Sequence, residues 1–205
     1  MLLEAEFEAL MGLVDRGRLY VDIPVGLPDA ERKLEGVARR HAPVRAGSIF
    51  SVPCRQAVYA VSYECACDIN LTATGKKLSK QSWYLCEKIR QVDVIMRRNR
   101  SLRSRVIESH PELAYSIMNG GPLAASKKSM LGIRTRLEIL SKRLPEADEI
   151  FWRAEQSFPR KVLARDDIVD AIVLMVVAAG RRKRIEVRSQ RRDSYGIPIR
   201  MYVPN

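Results

Sequence analysis

Leu19-Tyr20-Val21-Asp22-Ile23-Pro24 is a short apolar run that closes on an acid and then on a proline, and its reading decides the fold. Leucine, tyrosine and valine suit a pleated, half-buried strand. Pro24 cannot donate to a ladder, so the strand stops before it, and Asp22 is expected at its carboxyl end. Val106-Ile107-Glu108 has the same design and again ends on a carboxylate. Around these strands the apolar spacing becomes helical. Trp83, Leu85, Ile89, Val92 and Met96 share one face of residues 78–96, with Ser79 as N-cap candidate. Ile133, Leu137 and Leu140 do the same within residues 132–143, which Pro145 closes. Residues 167–179 are apolar on all sides, with Asp166 as the expected N-cap and Gly180 at the far end, so this helix should be deeply buried.

Working outward, Leu3, Phe7, Leu10, Met11 and Val14 recur at helical spacing with acids between them, which predicts an N-terminal amphipathic helix. A short helix is expected near residues 30–40, and residues 185–187 and 196–204 read as extended segments. Residues 41–105 form a loop-rich and helical insertion. Alternating helices and short strands indicate an α/β domain, a mixed sheet flanked by helices, with part of the sheet parallel. One domain over residues 1–205 is expected.

The chain carries 36 Lys and Arg against 24 Asp and Glu, a formal charge of +12, which favours a polyanionic partner such as DNA or RNA. Arg97-Arg98-Asn99-Arg100 is a basic stretch suited to nucleic acid, and Lys127-Lys128 lies in a basic polar loop. Cys54, Cys65, Cys67 and Cys86 occur without a signal peptide, so structural thiols in a reducing cytoplasm are expected. Cys65-x-Cys67 has no second pair to complete a zinc site. The longest apolar run, residues 171–179, is far short of the ~20 residues needed to span a bilayer, so no membrane segment is expected.

In open α/β sheets the functional crevice lies beyond the carboxyl ends of the strands, where Asp22 and Glu108 are placed. Asp167 and Asp170 add two carboxylates one helical turn apart, about 5 to 6 Å between Cβ atoms. Four acids of this kind suit Mg²⁺ or Mn²⁺, and two such ions about 3.5 to 4 Å apart clamp the attacking and leaving oxygens of a phosphodiester. Asp166 and Asp167 are also where any helix start favours negative charge. No nucleotide-binding glycine loop, thiol nucleophile or hydrolase triad is visible.

The segments Val21-Asp22-Ile23-Pro24-Val25-Gly26-Leu27-Pro28, Glu108-Ser109-His110-Pro111-Glu112, Asn119-Gly120-Gly121-Pro122-Leu123 with Ser126-Lys127-Lys128, and Asp166-Asp167-Ile168-Val169-Asp170-Ala171 resemble the domain-of-unknown-function 429 family over nearly the whole chain. Its members are regarded as predicted nucleases with an RNase H-like fold. The resemblance implies an acidic, metal-holding and catalytic centre made of Asp22, Glu108, Asp167 and Asp170. Lys127 and Lys128 become candidates for phosphate contact, and His110, next to Glu108, has two readings: a group that holds a water or moves a proton, or, as is commoner for a lone histidine in a loop, a hydrogen-bonding scaffold.

The chain departs from the family at its start, which lies at the amphipathic helix and lacks the strand that carries the first acid. An N-terminally truncated sheet is therefore expected, with Leu19–Val21 as an edge completed by a segment upstream of Met1, by a second chain or by a second copy. Two function classes follow: a two-metal, Mg²⁺- or Mn²⁺-dependent nuclease, or a catalytically silent nucleic-acid-binding or assembly protein.

Overall fold

The computed structural model describes residues 17–41 and 49–205, with positions 9 and 12 in isolation; the expected N-terminal helix lies outside the described residues. The sheet is mixed, as the alternating pattern predicts, and has four strands among the described residues. β1 (Leu19–Val21) runs parallel to β2 (Val106–Glu108), in register from Leu19 opposite Val106 to Val21 opposite Glu108. β3 (Arg182–Glu186) is an antiparallel edge on β4 (Arg200–Pro204), and β4 pairs parallel with β2. The order is β1-β2-β4-β3. Among the described residues β2 is the only strand neighbour of β1.

Eight α-helices surround the sheet among the described residues: α1 (Leu34–His41), α2 (Arg55–Val58), α3 (Tyr63–Thr74), α4 (Lys80–Arg98), α5 (Pro111–Asn119), α6 (Met130–Ser141), α7 (Ala147–Ser157) and α8 (Arg165–Ala179). Side-chain oxygens start several of them. Ser79 accepts from Ser82 N–H at 3.0 Å to open α4, and Ser129 accepts from Gly132 N–H at 3.0 Å to open α6. α5 has Pro111 at its first position, where no amide donor is missed.

Three boundaries differ from the sequence reading. α8 starts at Arg165, so Asp166 lies within its first turn and Ala164 holds the cap with no side-chain bond. Asp166 and Asp167 thus act on the helix dipole rather than as a cap. The loop-rich part of residues 41–105 is helical from Arg55, in α2 and α3, and α5 and α7 are helices that the apolar spacing did not announce.

α8 is the spine of the largest apolar cluster. Its Val169, Ile172, Val173 and Val176 meet Leu137 and Leu140 of α6 and Phe151 of α7. Its outer positions Ala171 and Met175 are exposed, so the helix is buried deeply on one side and not all round. Leu34 and Ala38 of α1 and Leu113 of α5 pack with Ile185, Met201 and Val203 of the sheet. Cys54, Cys67 and Cys86 are buried in a third cluster between α2, α3 and α4, and Cys65 is exposed; all four are free thiols.

The segment after Asp22 leaves the sheet, yet its backbone is paired as if it had not. Val25 N–H donates to Glu108 Oε2 at 2.8 Å, and Arg32 Nη2 donates to Val25 C=O at 3.0 Å. Two residues on, Leu27 N–H donates to Asp193 Oδ2 at 3.1 Å, and Arg55 Nη2 donates to Leu27 C=O at 3.0 Å. The acid and the arginine are themselves ion-paired in each case, Arg32 to Glu108 at 2.5 Å and Arg55 to Asp193 at 2.6 Å. Each buried pair therefore stands in for a neighbouring strand, supplying an acceptor and a donor two residues apart.

Gly26 lies between the two clamps with φ +80°, and a Cβ there would sit 2.8 Å from Ile199 Cγ1 and 2.9 Å from Pro198 C=O. Both the conformation and the space demand glycine. Gly26→Ala is predicted to lower stability by roughly 2–4 kcal/mol, read as a shift in the urea midpoint; a midpoint equal to wild type would contradict this account of the segment.

Candidate functional site

The parallel register of β1 and β2 brings their carboxyl ends side by side, and Ser109 N–H donates to Val21 C=O at 3.0 Å just beyond them. A cleft of about 320 Å³ opens at this end, lined by Asp22, His110, Glu112, Lys127, Arg136 and Asp170 among others. The lining comes from the end of β1, α4, the start of α5, the loop before α6, α6 itself and the first turns of α8, with Phe50 beside them.

Asp170 faces the cleft from α8. Its Oδ2 accepts from Lys127 Nζ at 2.5 Å, while its Oδ1 is buried and has no hydrogen-bond partner among the described residues. Burial pushes the Asp170 carboxyl up to about 6; Lys127 opposes the shift, and the charges of Asp22 and Glu112 add to it. Asp22 keeps one side in contact with water although protein crowds it closely on the cleft floor. That crowding raises its carboxyl as well, Glu108 and Glu112 adding to the rise and His110 and Lys127 opposing it. The water contact limits how far the rise can go. Burial alone would lower Lys127, but its bond to Asp170 and the charges of Asp170, Asp166 and Asp22 outweigh this and raise it.

The walls are held by ion pairs of their own. Arg136, buried on α6, donates to Glu112 Oε1 at 2.5 Å and to Gly132 C=O at 3.1 Å. His110 caps α5, its Nδ1 accepting from Leu113 N–H at 3.4 Å. Behind the cleft, a cavity of about 30 Å³ is lined by Asp22, Glu35, Glu108, Ser109 and His110.

Of the four acids expected to converge, the cleft receives Asp22 and Asp170. Glu108 is 5% exposed and spends both carboxylate oxygens on Arg32 and the Val25 amide. It is a structural acceptor here, because the chain leaving β1 needs one. Asp167 is exposed and does not line the cleft. Among the described residues no group of three or more His, Cys, Asp or Glu side chains is arranged to hold a metal ion.

The basic residues divide in the same way. Lys127 reaches into the cleft and Lys128 is exposed beside it. Leu85 of α4 lines the cleft, but Arg97 lies twelve residues further along that helix, about 18 Å and a third of a turn round. Arg97 stacks 3.9 Å from the centroid of the Tyr195 ring, and Arg98 and Arg100 are exposed at that remote end. The residues that sequence reasoning missed are Arg32, Arg55 and Arg136, whose single positive charges carry no motif, and Glu112, which it read only as part of a family segment.

The family model described as protein of unknown function (DUF429) matches residues 5–189. The chain belongs to the DUF429 family. The match contains Asp22, Lys127 and Asp170 and ends before β4. No curated protein and no solved structure matches this DUF429 chain. No described helix is long and apolar enough to cross a membrane.

The raised Asp170 carboxyl makes a signed prediction. The folded protein holds this proton more tightly than the unfolded chain, so the stabilisation is complete below about pH 4 and is lost as pH rises through about 6. Asp170→Asn mimics the protonated acid and is predicted to be more stable than wild type by roughly 1–3 kcal/mol at pH 8. The difference should shrink toward zero near pH 4. Thermal melts at the two pH values check this, and a variant less stable than wild type at pH 8 would contradict it.

Proposed function

We propose that this DUF429 protein is a divalent-cation-dependent nuclease of RNase H-like fold that hydrolyses phosphodiester bonds in nucleic acid. The observation that carries the reading is the pair Asp22 and Asp170: two carboxylates with raised pKa in one cleft at the carboxyl end of parallel strands, one with a buried oxygen that has no partner among the described residues. Groups with raised carboxyl pKa values in a cleft mark functional sites more often than chance. Hard carboxylate oxygens suit Mg²⁺ or Mn²⁺, and Mg²⁺ is commonly held by one or two carboxylates, with water and substrate phosphates completing its shell. With Glu108 and Asp167 outside the cleft, Asp22 and Asp170 are the residues that would hold the cation.

When bound, the cation supplies Lewis-acid polarisation of the phosphodiester. The chain's own residues orient the substrate. Lys127 and the exposed Lys128 offer ammonium groups to phosphate, His110 is fixed by its capping bond at the cleft wall, and Arg136 holds Glu112 beside it. A formal charge of +12 favours a polyanion as the partner. A reducing cytoplasm is part of the proposal, supported by the four free thiols, and the β1 edge is where a second copy or second chain would add a strand.

A second reading has its own support. Because Glu108 and Asp167 are not brought into the cleft, the chain can instead bind nucleic acid without cleaving it. The two readings separate on one assay with the full chain and labelled duplex, branched and single-stranded DNA and RNA. The nuclease reading predicts cleavage that requires Mg²⁺ or Mn²⁺ and falls at least about 100-fold in Asp22→Asn and in Asp170→Asn. Salt-dependent binding without cleavage in wild type, unchanged in both variants, would overturn it in favour of the second.

A further inference from the structure

Lys127 sits in an unusual place for a lysine. Such side chains normally lay their stem on the surface and keep the ammonium in water. Here the side chain is 34% exposed, and Nζ turns inward to Asp170 Oδ2 at 2.5 Å, where the charges of Asp22 and Asp166 also act on it. The backbone beneath it is anchored. A Cβ on Gly132 would lie 1.8 Å from Ser126 C=O and 3.2 Å from Lys127 N, so the Ser126–Lys127 peptide rests directly on the glycine at the start of α6. Ser129 Oγ also donates to Ser126 C=O at 2.8 Å. The base of Lys127 is thus fixed while its four-carbon stem can swing.

The charge balance of the cleft is incomplete. Glu112 is matched by Arg136, which among the described residues leaves the carboxylates of Asp22 and Asp170 facing the ammonium of Lys127, with His110 acting on Asp22 from the cleft wall. The Lys127 ammonium alone cannot neutralise two negative charges, and among the described residues Asp170 Oδ1 has no hydrogen-bond donor. A divalent ion matches the pair, and with that ion present the ammonium becomes a like charge at close range.

We propose that Lys127 is a built-in counter-cation of the acidic cleft: its ammonium holds the place contested by a divalent ion at Asp170 and Asp22, and it swings out when the ion binds. This rests on the cation-dependent reading of the same site. The displaced ammonium, still tethered at the cleft mouth, is then available to a substrate phosphate, so the same side chain serves the empty and the loaded site.

Mn²⁺ binding to the full-length chain at pH 8, followed by electron paramagnetic resonance of the free ion, tests this without any cleavage assay. Lys127→Met should tighten Mn²⁺ binding about tenfold, whereas Lys128→Met, which removes the same charge from the exposed neighbour, should change it by less than about twofold. Melting curves establish that each variant is folded. Saturable binding that Lys127→Met leaves unchanged or weakens overturns the inference alone. Saturable binding that Asp22→Asn and Asp170→Asn leave intact, or no saturable binding by wild type, overturns the reading of the site and the inference with it.

Discussion

Two buried arginine–carboxylate pairs hold the chain as it leaves β1, and the rest of the cleft depends on them. A chain that leaves its strand while still buried has backbone amides and carbonyls without ladder partners, and burying them unpaired costs about 1–3 kcal/mol each. Arg32 with Glu108, and Arg55 with Asp193, satisfy Val25 and Leu27 on both their N–H and C=O groups. Asp193 then ties the clamp to the far end of the chain by accepting from the Tyr195 and Ile197 amides, both at 2.9 Å. Each arginine brings a further acid with it, Glu35 for Arg32 and Asp93 for Arg55. Breaking one such buried pair costs about 3–5 kcal/mol, because it leaves a charge uncompensated.

This arrangement gives Glu108 its role. Glu108 stands where the family resemblance expects a metal ligand, at the end of a strand beside the one that ends at Asp22. Its two oxygens are fully engaged by a guanidinium and a backbone amide, so it positions the segment that carries Asp22 and does not itself face the cleft. The cleft is left with fewer acids, and at Asp170 burial outweighs the one donor that Lys127 supplies. The ammonium of Lys127 offsets part of that cost, and on the proposed reading a metal ion would take its place.

Much of the scaffold was legible from residues 19–24 and 106–108, because a short apolar run closed by an acid or a proline has few other readings, and both became the parallel pair at the centre of the site. The helix at 80–98 was legible because its apolar positions repeat over five turns behind a serine cap. α5 was not. Its Pro111 follows a strand directly, and at nine residues its apolar positions are too few to establish a helical period. α7 hid for a similar reason, presenting only Ala147 and Phe151 as fully buried positions in eleven residues. At the site, Asp22 and Asp170 were found by position on a strand end and on an apolar helix. Glu108 and Asp167 share those local signals. What separates them is long-range: Arg32 lies 76 residues from Glu108 in sequence, and no local pattern announces that pairing.

The central claim is that Asp22 and Asp170 together form a cation site while Glu108 remains a structural acceptor. It is tested most directly by crystals of the full chain soaked in Mn²⁺, with the ion located by its anomalous diffraction. The account predicts one peak within coordinating distance of a carboxylate oxygen of both Asp22 and Asp170, with Lys127 Nζ withdrawn from Asp170 and Glu108 still paired to Arg32. A peak coordinated by Glu108, or an ordered cleft with no peak at Asp22 and Asp170, would contradict it.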